Sequence, residues 1–416
     1  MGIQRNIYTS IEEHLSKKEF TLLTGARQTG KTTLLRQLDN NIKKNDRPTL
    51  FLNLENKTIL EELDRHPLNL LNLLPATDQR VVVLIDEIQY LKNATNFLKL
   101  LYDEYAERIK IVATGSSAFY IDENFTDSLA GRKKLFNLPT CSFDEYLRLS
   151  GNENLLEEIF RLQNNKQAKS TAIELLQNEW YNYMIYGGYP AVVTEVNKRD
   201  KIEQLKELRD AFIKRDILES GIQNETAFYN LFRILAEQIG GMVNTSELSN
   251  TLRIKDKTVA HYLLVLQKCF HIALIKPFHQ NLRKELIKMP KSYFMDTGMR
   301  NCLLHNFQPV SMRTDKGQLW ENACFRLLVD KYVPEEIHFW RTADNNEVDF
   351  VLTDISEAFA VEAKFSESMI KPGKYKKFTE TYPKFPLRFV CVEPFDENFF
   401  RSVLFSCCFT GYADFL

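Results

Sequence analysis

The stretch "LLTGARQTGKTTLL" (Leu22–Leu35) decides how the first third of the chain is read. It fits the spacing G-x-x-x-x-G-K-[ST], with Gly25, Gly30, Lys31 and Thr32 at the defined positions. Glycines let such a loop fold back so that its amide N–H groups point inward at phosphate oxygens, and the following helix offers the positive end of its dipole. The expected phosphate-binding residues are therefore Gly25, Ala26, Arg27, Gln28, Thr29, Gly30, Lys31, Thr32 and Thr33. Lys31 brings a point charge to the outer phosphates of ATP, and the Thr32 hydroxyl can ligate Mg²⁺. The context agrees: an apolar strand, "FTLLT", precedes the loop and a helix, "KTTLLRQLDN", follows it.

Working outward, "RVVVLIDEIQYL" (80–91) has five apolar residues in a row, the pattern of a strand buried on both faces of a parallel sheet. It ends in Asp86 and Glu87, where the carboxyl ends of strands form the ligand crevice. Asp86 would hold Mg²⁺ through its water shell, and Glu87 would orient or deprotonate the attacking water. Two further runs, "TLFLNLEN" (49–56) and "IKIVATGSS" (109–117), supply more parallel strands, and "KKLFNLP" (133–139) a fifth. Alternation with helical stretches such as "ATNFLKLLYDEYAER" predicts an open α/β sheet with helices on both faces. Thr114 or Ser116 could hydrogen-bond the γ-phosphate or the lytic water, with plain turn chemistry as the competing role.

Together with "LAGRK" (129–133), "YGGYP" (186–190) and "KRDI" (214–217), these motifs resemble the bacterial and archaeal AAA-type P-loop ATPases that carry a C-terminal domain of unknown function related to restriction-endonuclease folds. The resemblance covers almost the whole chain. It implies Arg132 as a candidate for the arginine that reaches a neighbouring subunit's γ-phosphate, and hence a homo-oligomer. An exposed basic turn is the structural alternative. In the helical lid only Arg215 could serve as a second arginine sensor, a departure that weighs against a ring-forming motor.

Length and composition set the outer bounds. At 416 residues the chain is too long for one core. Hydrophobic residues at 44% and charged residues at 26% match an ordinary globular protein and exclude extensive disorder. A formal net charge of −1 means that any polyanion site must be a local patch. The longest apolar run, "VVVLI", is far short of a membrane span and the N-terminus lacks a signal-peptide core, so a cytoplasmic location without a membrane is expected. Seven scattered cysteines without paired spacing are expected to be reduced and mostly buried.

Four segments follow from the patterns: a P-loop ATPase core at 1–150, a helical lid at 151–240, a winged-helix-like domain at 241–290 and a nuclease-like α/β domain at 291–416. In the lid, paired glycines and a proline in "MIYGGYPAVV" require a tight turn near the nucleotide domain, with Tyr186 and Tyr189 as packing residues. In 244–278, Ser246 can cap a short helix, and Asp256 or Lys257 begins a second amphipathic helix, with "HIALIKPF" as a strand. Helix, turn, helix and wing would offer Lys255, Lys257, Thr258 and His261 to DNA, and "NLRKELIKMPK" (281–291) adds four basic residues against one acid. A mostly apolar second helix that only braces its neighbours is the other reading.

The last third holds "NEVDFVLTDISEAFAVEAKF" (346–365). A hairpin turning between Ile355 and Ser356 would set Asp349 opposite Glu362 and Glu347 opposite Lys364 on one face, with Val348, Phe350, Val361 and Ala363 on the other. Like charges directly opposed destabilise a sheet, and a divalent cation between Asp349 and Glu362 would reverse that sign. Upstream, "GQLWENACFRLLVDKYV" (317–333) forms an amphipathic helix with Glu321 at the edge of its buried stripe. The order helix-Glu, strand-Asp, Glu-x-Lys resembles the PD-(D/E)xK nuclease core, which implies Glu321, Asp349 and Glu362 for a metal and Lys364 for positioning or deprotonating water. An ordinary Glu347–Lys364 ion pair beside a hydrated Asp349 is the alternative.

Two functions are carried forward. One is an Mg-dependent ATPase that binds or processes DNA, with a C-terminal nuclease site. The other is a nucleotide-controlled switch or assembly protein whose nuclease-like domain is a non-catalytic binding module.

Overall fold

A computed structural model describes residues 3–115, 129–165, 167–278, 289–353, 358–396 and 399. The chain divides into two compact units, Met1–Thr140 with Lys268–Phe270, and Cys141–Gln267 with His271–Leu416.

In the first unit five strands form one parallel sheet: β1 (Phe20–Thr24), β2 (Thr49–Asn53), β3 (Val81–Asp86), β4 (Ile109–Gly115) and β5 (Lys133–Asn137). Their spatial order is β2-β3-β4-β1-β5. The motif-bearing strand β1 lies between β4, with Leu22 beside Ala113, and β5, with Leu22 beside Leu135. A short first helix, α1 (Tyr8–His14), precedes the sheet. Parallel pairing needs crossovers, which α2 (Lys31–Lys44), α3 (Lys57–Arg65) and α4 (Ala94–Tyr105) provide. Alternate residues feed two cores: Val81, Val83, Ile85, Ile109 and Ile111 pack on one face, and Leu23, Val82, Leu84 and Val112 pack with Leu34, Leu35 and Leu38 of α2 on the other. This is why β3 reads as an unbroken apolar run.

The second unit begins with helices α5 (Phe143–Leu149), α6 (Glu153–Asn164), α7 (Ile173–Tyr186) and α8 (Pro190–Thr194), followed by α9 (Lys198–Ser220) and α10 (Glu225–Glu237). The "YGGYP" turn after α7 is held from within this unit. The Gly188 amide donates to Asp296 Oδ2 at 2.8 Å, and Asn301 Nδ2 donates to the carbonyls of Met184 and Ile185. A Cβ on Gly187, at φ +75°, would lie 2.2 Å from Asp296 Oδ1, so only glycine fits. Tyr186 and Tyr189 are packing residues, against Phe307 and Phe212.

Next come α11 (Thr245–Leu252) and α12 (Asp256–Lys268). Asn244, rather than Ser246, caps α11, accepting from the amides of Ser246 and Glu247. Ser246 lies inside the helix, and its hydroxyl joins that of Ser249 in donating to Asp256. Two residues of similar capping strength, two positions apart, competed, and the one that could reach two amides won.

Six strands form a mixed sheet of order β11-β10-β9-β8-β6-β7. They are β6 (Ile272–Pro277), β7 (Lys291–Phe294), β8 (Ile337–Arg341), β9 (Glu347–Thr353), β10 (Ala358–Ser366) and β11 (Leu387–Glu393). Because β6 pairs with β7, the segments on either side of residue 290 share this sheet. Before the sheet's later strands come α13 (Thr297–Leu303) and α14 (Lys316–Leu328), and α15 (Lys376–Thr381) follows β10. The inward residues expected of α14, from Leu319 to Leu328, are buried, although the helix ends at Leu328 rather than near Val333.

Among the described residues, no helix is long and apolar enough to cross a membrane. Among the described residues Cys141, Cys269, Cys302, Cys324 and Cys391 form no disulfide, and Cys407 and Cys408 lie outside the described residues.

Candidate functional site

In the first unit the loop between β1 and α2 closes on itself. Gly25 has φ +155°, and a Cβ there would sit 2.1 Å from the Leu138 carbonyl oxygen, so the backbone approach requires glycine. Lys31, 5% exposed, donates from Nζ to the carbonyls of Gly25 (2.8 Å) and Ala26 (2.7 Å). The Thr29 hydroxyl donates to Ala26 O. Arg5, which no motif signalled, braces the loop from outside, with Nη1 donating to Thr29 O (2.6 Å) and Nη2 to Pro139 O (2.8 Å). Arg27 and Gly30 are partly exposed and Gln28 and Thr33 exposed along the same loop and helix start.

The strand ends meet this loop. Asp86, 2% exposed, accepts from Thr32 Oγ1 at 2.8 Å and from Thr114 Oγ1 at 2.5 Å. The Thr114 oxygen also accepts from the Glu87 amide at 3.1 Å. One hydroxyl thus ties β3, β4 and the left-handed backbone of Glu87 (φ 60°) together. Gln89 donates its side-chain amide to Glu87 Oε2, a restraint the sequence reading missed. Thr32, Asp86, Thr114 and Glu87 are therefore brought together, whereas Ser116 lies outside the described residues.

Arg132 pairs with Asp103 of its own chain, Nε to Oδ1 at 2.6 Å and Nη2 to Oδ2 at 3.3 Å. The Arg132 side chain is half-buried in this pair. The side chain of Arg215 lies outside the described residues.

In the second unit, β9 and β10 pair in the register expected of the hairpin, with Val361 opposite Phe350 and Ala358 opposite Thr353, while its turn at 355–356 lies outside the described residues. Past Val361 and Phe350, side chains take over from backbone pairing. The Asp349 amide donates to Glu362 Oε2 (3.2 Å), and the Ala363 amide donates to Asp349 Oδ2 (2.9 Å). Glu362 is 1% and Asp349 5% exposed, so the hydrated Asp349 of the alternative is not found.

Lys364 ion-pairs with Glu362 and reaches Asp349 at 3.7 Å, and Tyr375 donates to Glu362 Oε1. The expected Glu347–Lys364 pairing is replaced. Glu347 instead pairs with Lys291 at 2.5 Å and Arg341 at 3.3 Å, because β8 lies on the other edge of β9 and sets Arg341 opposite Glu347. Glu321 accepts from Tyr293 (2.5 Å) and Lys291 (3.2 Å). Lys291, grouped by sequence with a DNA-facing basic run, is 2% exposed and turned into this cluster. Residues 281–288 of that run lie outside the described residues.

Burial, followed by the charges of Glu321 and Glu362, pushes the Asp349 carboxyl well above the usual range. Burial also raises Glu362, against the opposing pull of Lys364. For Lys291 burial favours the neutral amine, but the Glu321, Asp349 and Glu347 carboxylates outweigh it and hold the ammonium protonated. Oxygen donors of this kind suit Mg²⁺. Here each of Glu321, Asp349 and Glu362 already meets an ammonium, and among the described residues no group of three or more acid, histidine or cysteine side chains is placed to hold a metal ion.

Lys255 just before α12 and Lys257 in its first turn are exposed, and Thr258 and His261 are half-buried; Val259, Tyr262, Leu263, Val265 and Leu266 of the helix are buried. Lys255, Thr258 and His261 line an open groove with Asn224 and Tyr262.

Three family models match successive parts of the chain: an AAA domain at residues 17–147, a domain of unknown function (DUF8612) at 177–310, and another (DUF4143) at 316–404. One chain thus joins an AAA domain to a DUF4143 domain. An uncharacterized protein of Methanocaldococcus jannaschii is 29% identical over 324 residues, 74% of this chain and 67% of that protein. An uncharacterized protein of Mycobacterium tuberculosis is 23% identical, covering 87% of this chain and 74% of its own. A solved structure of the replication initiator DnaA bound to AMPPCP and single-stranded DNA is 18% identical over 63% of this chain and 86% of that one, at a TM-score of 0.29. The AAA-domain match supports nucleotide binding and hydrolysis as the activity class of the first unit.

Proposed function

We propose that the first unit binds Mg-ATP and hydrolyses it at the Gly25–Thr33 loop, with Glu87 as the residue that orients or deprotonates water. The observation that carries this reading is the chain of contacts from Thr32 through Asp86 and Thr114 to the Glu87 amide. It sets a hydroxyl, a carboxylate and a second carboxylate beside a loop built for phosphate. The donor set, a hydroxyl and an acid held by neutral partners, fits Mg²⁺, which would supply charge neutralisation at the outer phosphates.

Loop amides would take the phosphate oxygens, and Lys31 would exchange its two carbonyl partners for them. Glu87, released from Gln89, would accept the proton of the attacking water as that water's oxygen bonds to the γ-phosphorus and the bond to the ADP oxygen breaks. Arg132 would serve a neighbouring subunit only after leaving Asp103. Lys255, Lys257, Thr258 and His261 are the surface that would meet DNA.

Calorimetry tests the core of this reading. Wild type is expected to bind ATP with Mg²⁺, and Lys31→Ala to give no binding heat. Wild type without heat for ATP or GTP would overturn it.

For the second unit, the lysine-filled acid cluster favours the non-catalytic reading over the nuclease. Each of Glu321, Asp349 and Glu362 already has an ammonium partner. The nucleotide cycle would then act on a binding module. Metal-dependent cutting of DNA or RNA by wild type, abolished by Lys364→Ala, would reverse this choice.

A further inference from the structure

Burying a lysine is costly unless carboxylates receive it, so a lysine 2% exposed on a strand has a defined electrostatic task. Lys291 reaches the cluster from β7, 2.5 Å from Glu347 Oε1 and 3.2 Å from Glu321 Oε1, with the Phe339 ring 5.5 Å away. Four carboxylates, Glu321, Glu347, Asp349 and Glu362, face three cations, Lys291, Lys364 and Arg341. Little negative charge is left for a divalent ion, and any ion drawn to Glu321 would meet an ammonium already bonded to that carboxylate.

We infer that Lys291 is a resident cation occupying the electrostatic place of a divalent metal between Glu321 and its neighbouring carboxylates. Lys364 cannot do this alone, because it sits on the far partners, Asp349 and Glu362. The inference rests on the reading of the cluster as lysine-filled, and it identifies the one side chain that decides the cluster's cation preference. Removing its charge while keeping its length returns a unit of negative charge to Glu321, and the cluster becomes a site for a hard divalent ion coordinated by oxygen.

The test is Mn²⁺ binding to the full chain without nucleotide, followed by electron paramagnetic resonance of free Mn²⁺. Lys291→Met should bind one more Mn²⁺ than wild type, about 100-fold tighter or more at that site, since one positive charge has left the first few ångströms around the ion. Adding Glu321→Gln should remove the gained site. Lys291→Gln serves the same purpose should the methionine variant not fold. Wild type already binding Mn²⁺ at a Glu321-dependent site would overturn both the lysine-filled reading and the inference. No gain in folded Lys291→Met or Lys291→Gln would overturn the inference and leave that reading standing.

Discussion

Replacing Thr114 by valine keeps the volume of a buried side chain and removes one oxygen. That oxygen donates to Asp86 at 2.5 Å and accepts from the Glu87 amide at 3.1 Å. The bond to the carboxylate is buried and charge-assisted, worth about 2 kcal/mol, and the amide left without its acceptor adds roughly 1 kcal/mol because it is only partly buried. Thr114→Val should therefore destabilise the first unit by about 3 kcal/mol, and Thr114→Ser by less than about 1 kcal/mol. All three tryptophans, Trp180, Trp320 and Trp340, lie in the second unit, so tryptophan fluorescence would miss the change. Hydrogen exchange of peptides covering β3 and β4 would report it directly. Turnover of ATP should fall at least about tenfold, as Glu87 loses the tether on its left-handed backbone, while ATP affinity changes little because Lys31 and the loop amides are untouched. Unchanged exchange protection together with unchanged turnover in Thr114→Val would refute the argument that this hydroxyl organises the site.

Two other perturbations bear on the first unit. Gly25→Ala forces a Cβ to within 2.1 Å of the Leu138 carbonyl, so the loop must reshape; nucleotide affinity should fall more than about tenfold while the second unit's tryptophan unfolding transition stays put, as read by titration and urea melts. Lys110, wholly buried on β4, donates to the carbonyls of Glu19 and Lys17, and burial followed by repulsion from Arg80 pushes its pKa down to about 7. Its native pKa lies below the unfolded value, so the unfolded chain binds the extra proton between them, and stability rises as pH climbs from about 7 towards 10. Wild type should gain on Lys110→Met across pH 7 to 9 by at most roughly 1.4 kcal/mol per unit, and urea midpoints that stay parallel would contradict this.

What the sequence made legible was local or periodic. The phosphate loop is readable because Gly25, Gly30, Lys31 and Thr32 are fixed by spacing, and β3 because a strand covered on both faces must be apolar throughout. Alternation, with a hairpin turn placed at 355–356, set Val361 opposite Phe350 and brought Asp349 towards Glu362. The losses came from neighbours far along the chain. Glu347 turned away from Lys364 because β8 supplies Arg341 opposite it, and Lys291 and Tyr293 enter the acid cluster from a strand more than fifty residues before Glu347. Periodicity marks the face on which a carboxylate lies, but it does not say which other strand will lie beside it. Arg5 and Gln89 were invisible for a related reason: a brace on a carbonyl or a carboxylate leaves no spacing pattern.

The two acid sites differ in what holds their charge, and that difference bears on function more than fold resemblance does. Among the described residues Asp86 is held by two hydroxyls, neutral donors that orient a carboxylate without cancelling it. It lies beside a loop whose amides and lysine favour anions, an arrangement that suits a cation carried in with the phosphates. Glu321, Asp349 and Glu362 each meet an ammonium, with tyrosine hydroxyls on two of them. Paired buried charges stabilise little against an apolar core, yet removing one partner is costly, so such a cluster resists exchange of its cation. On the proposed readings, the same elements, acid and lysine, would make one site ready for a metal-bound nucleotide and leave the other closed unless Lys291 is displaced.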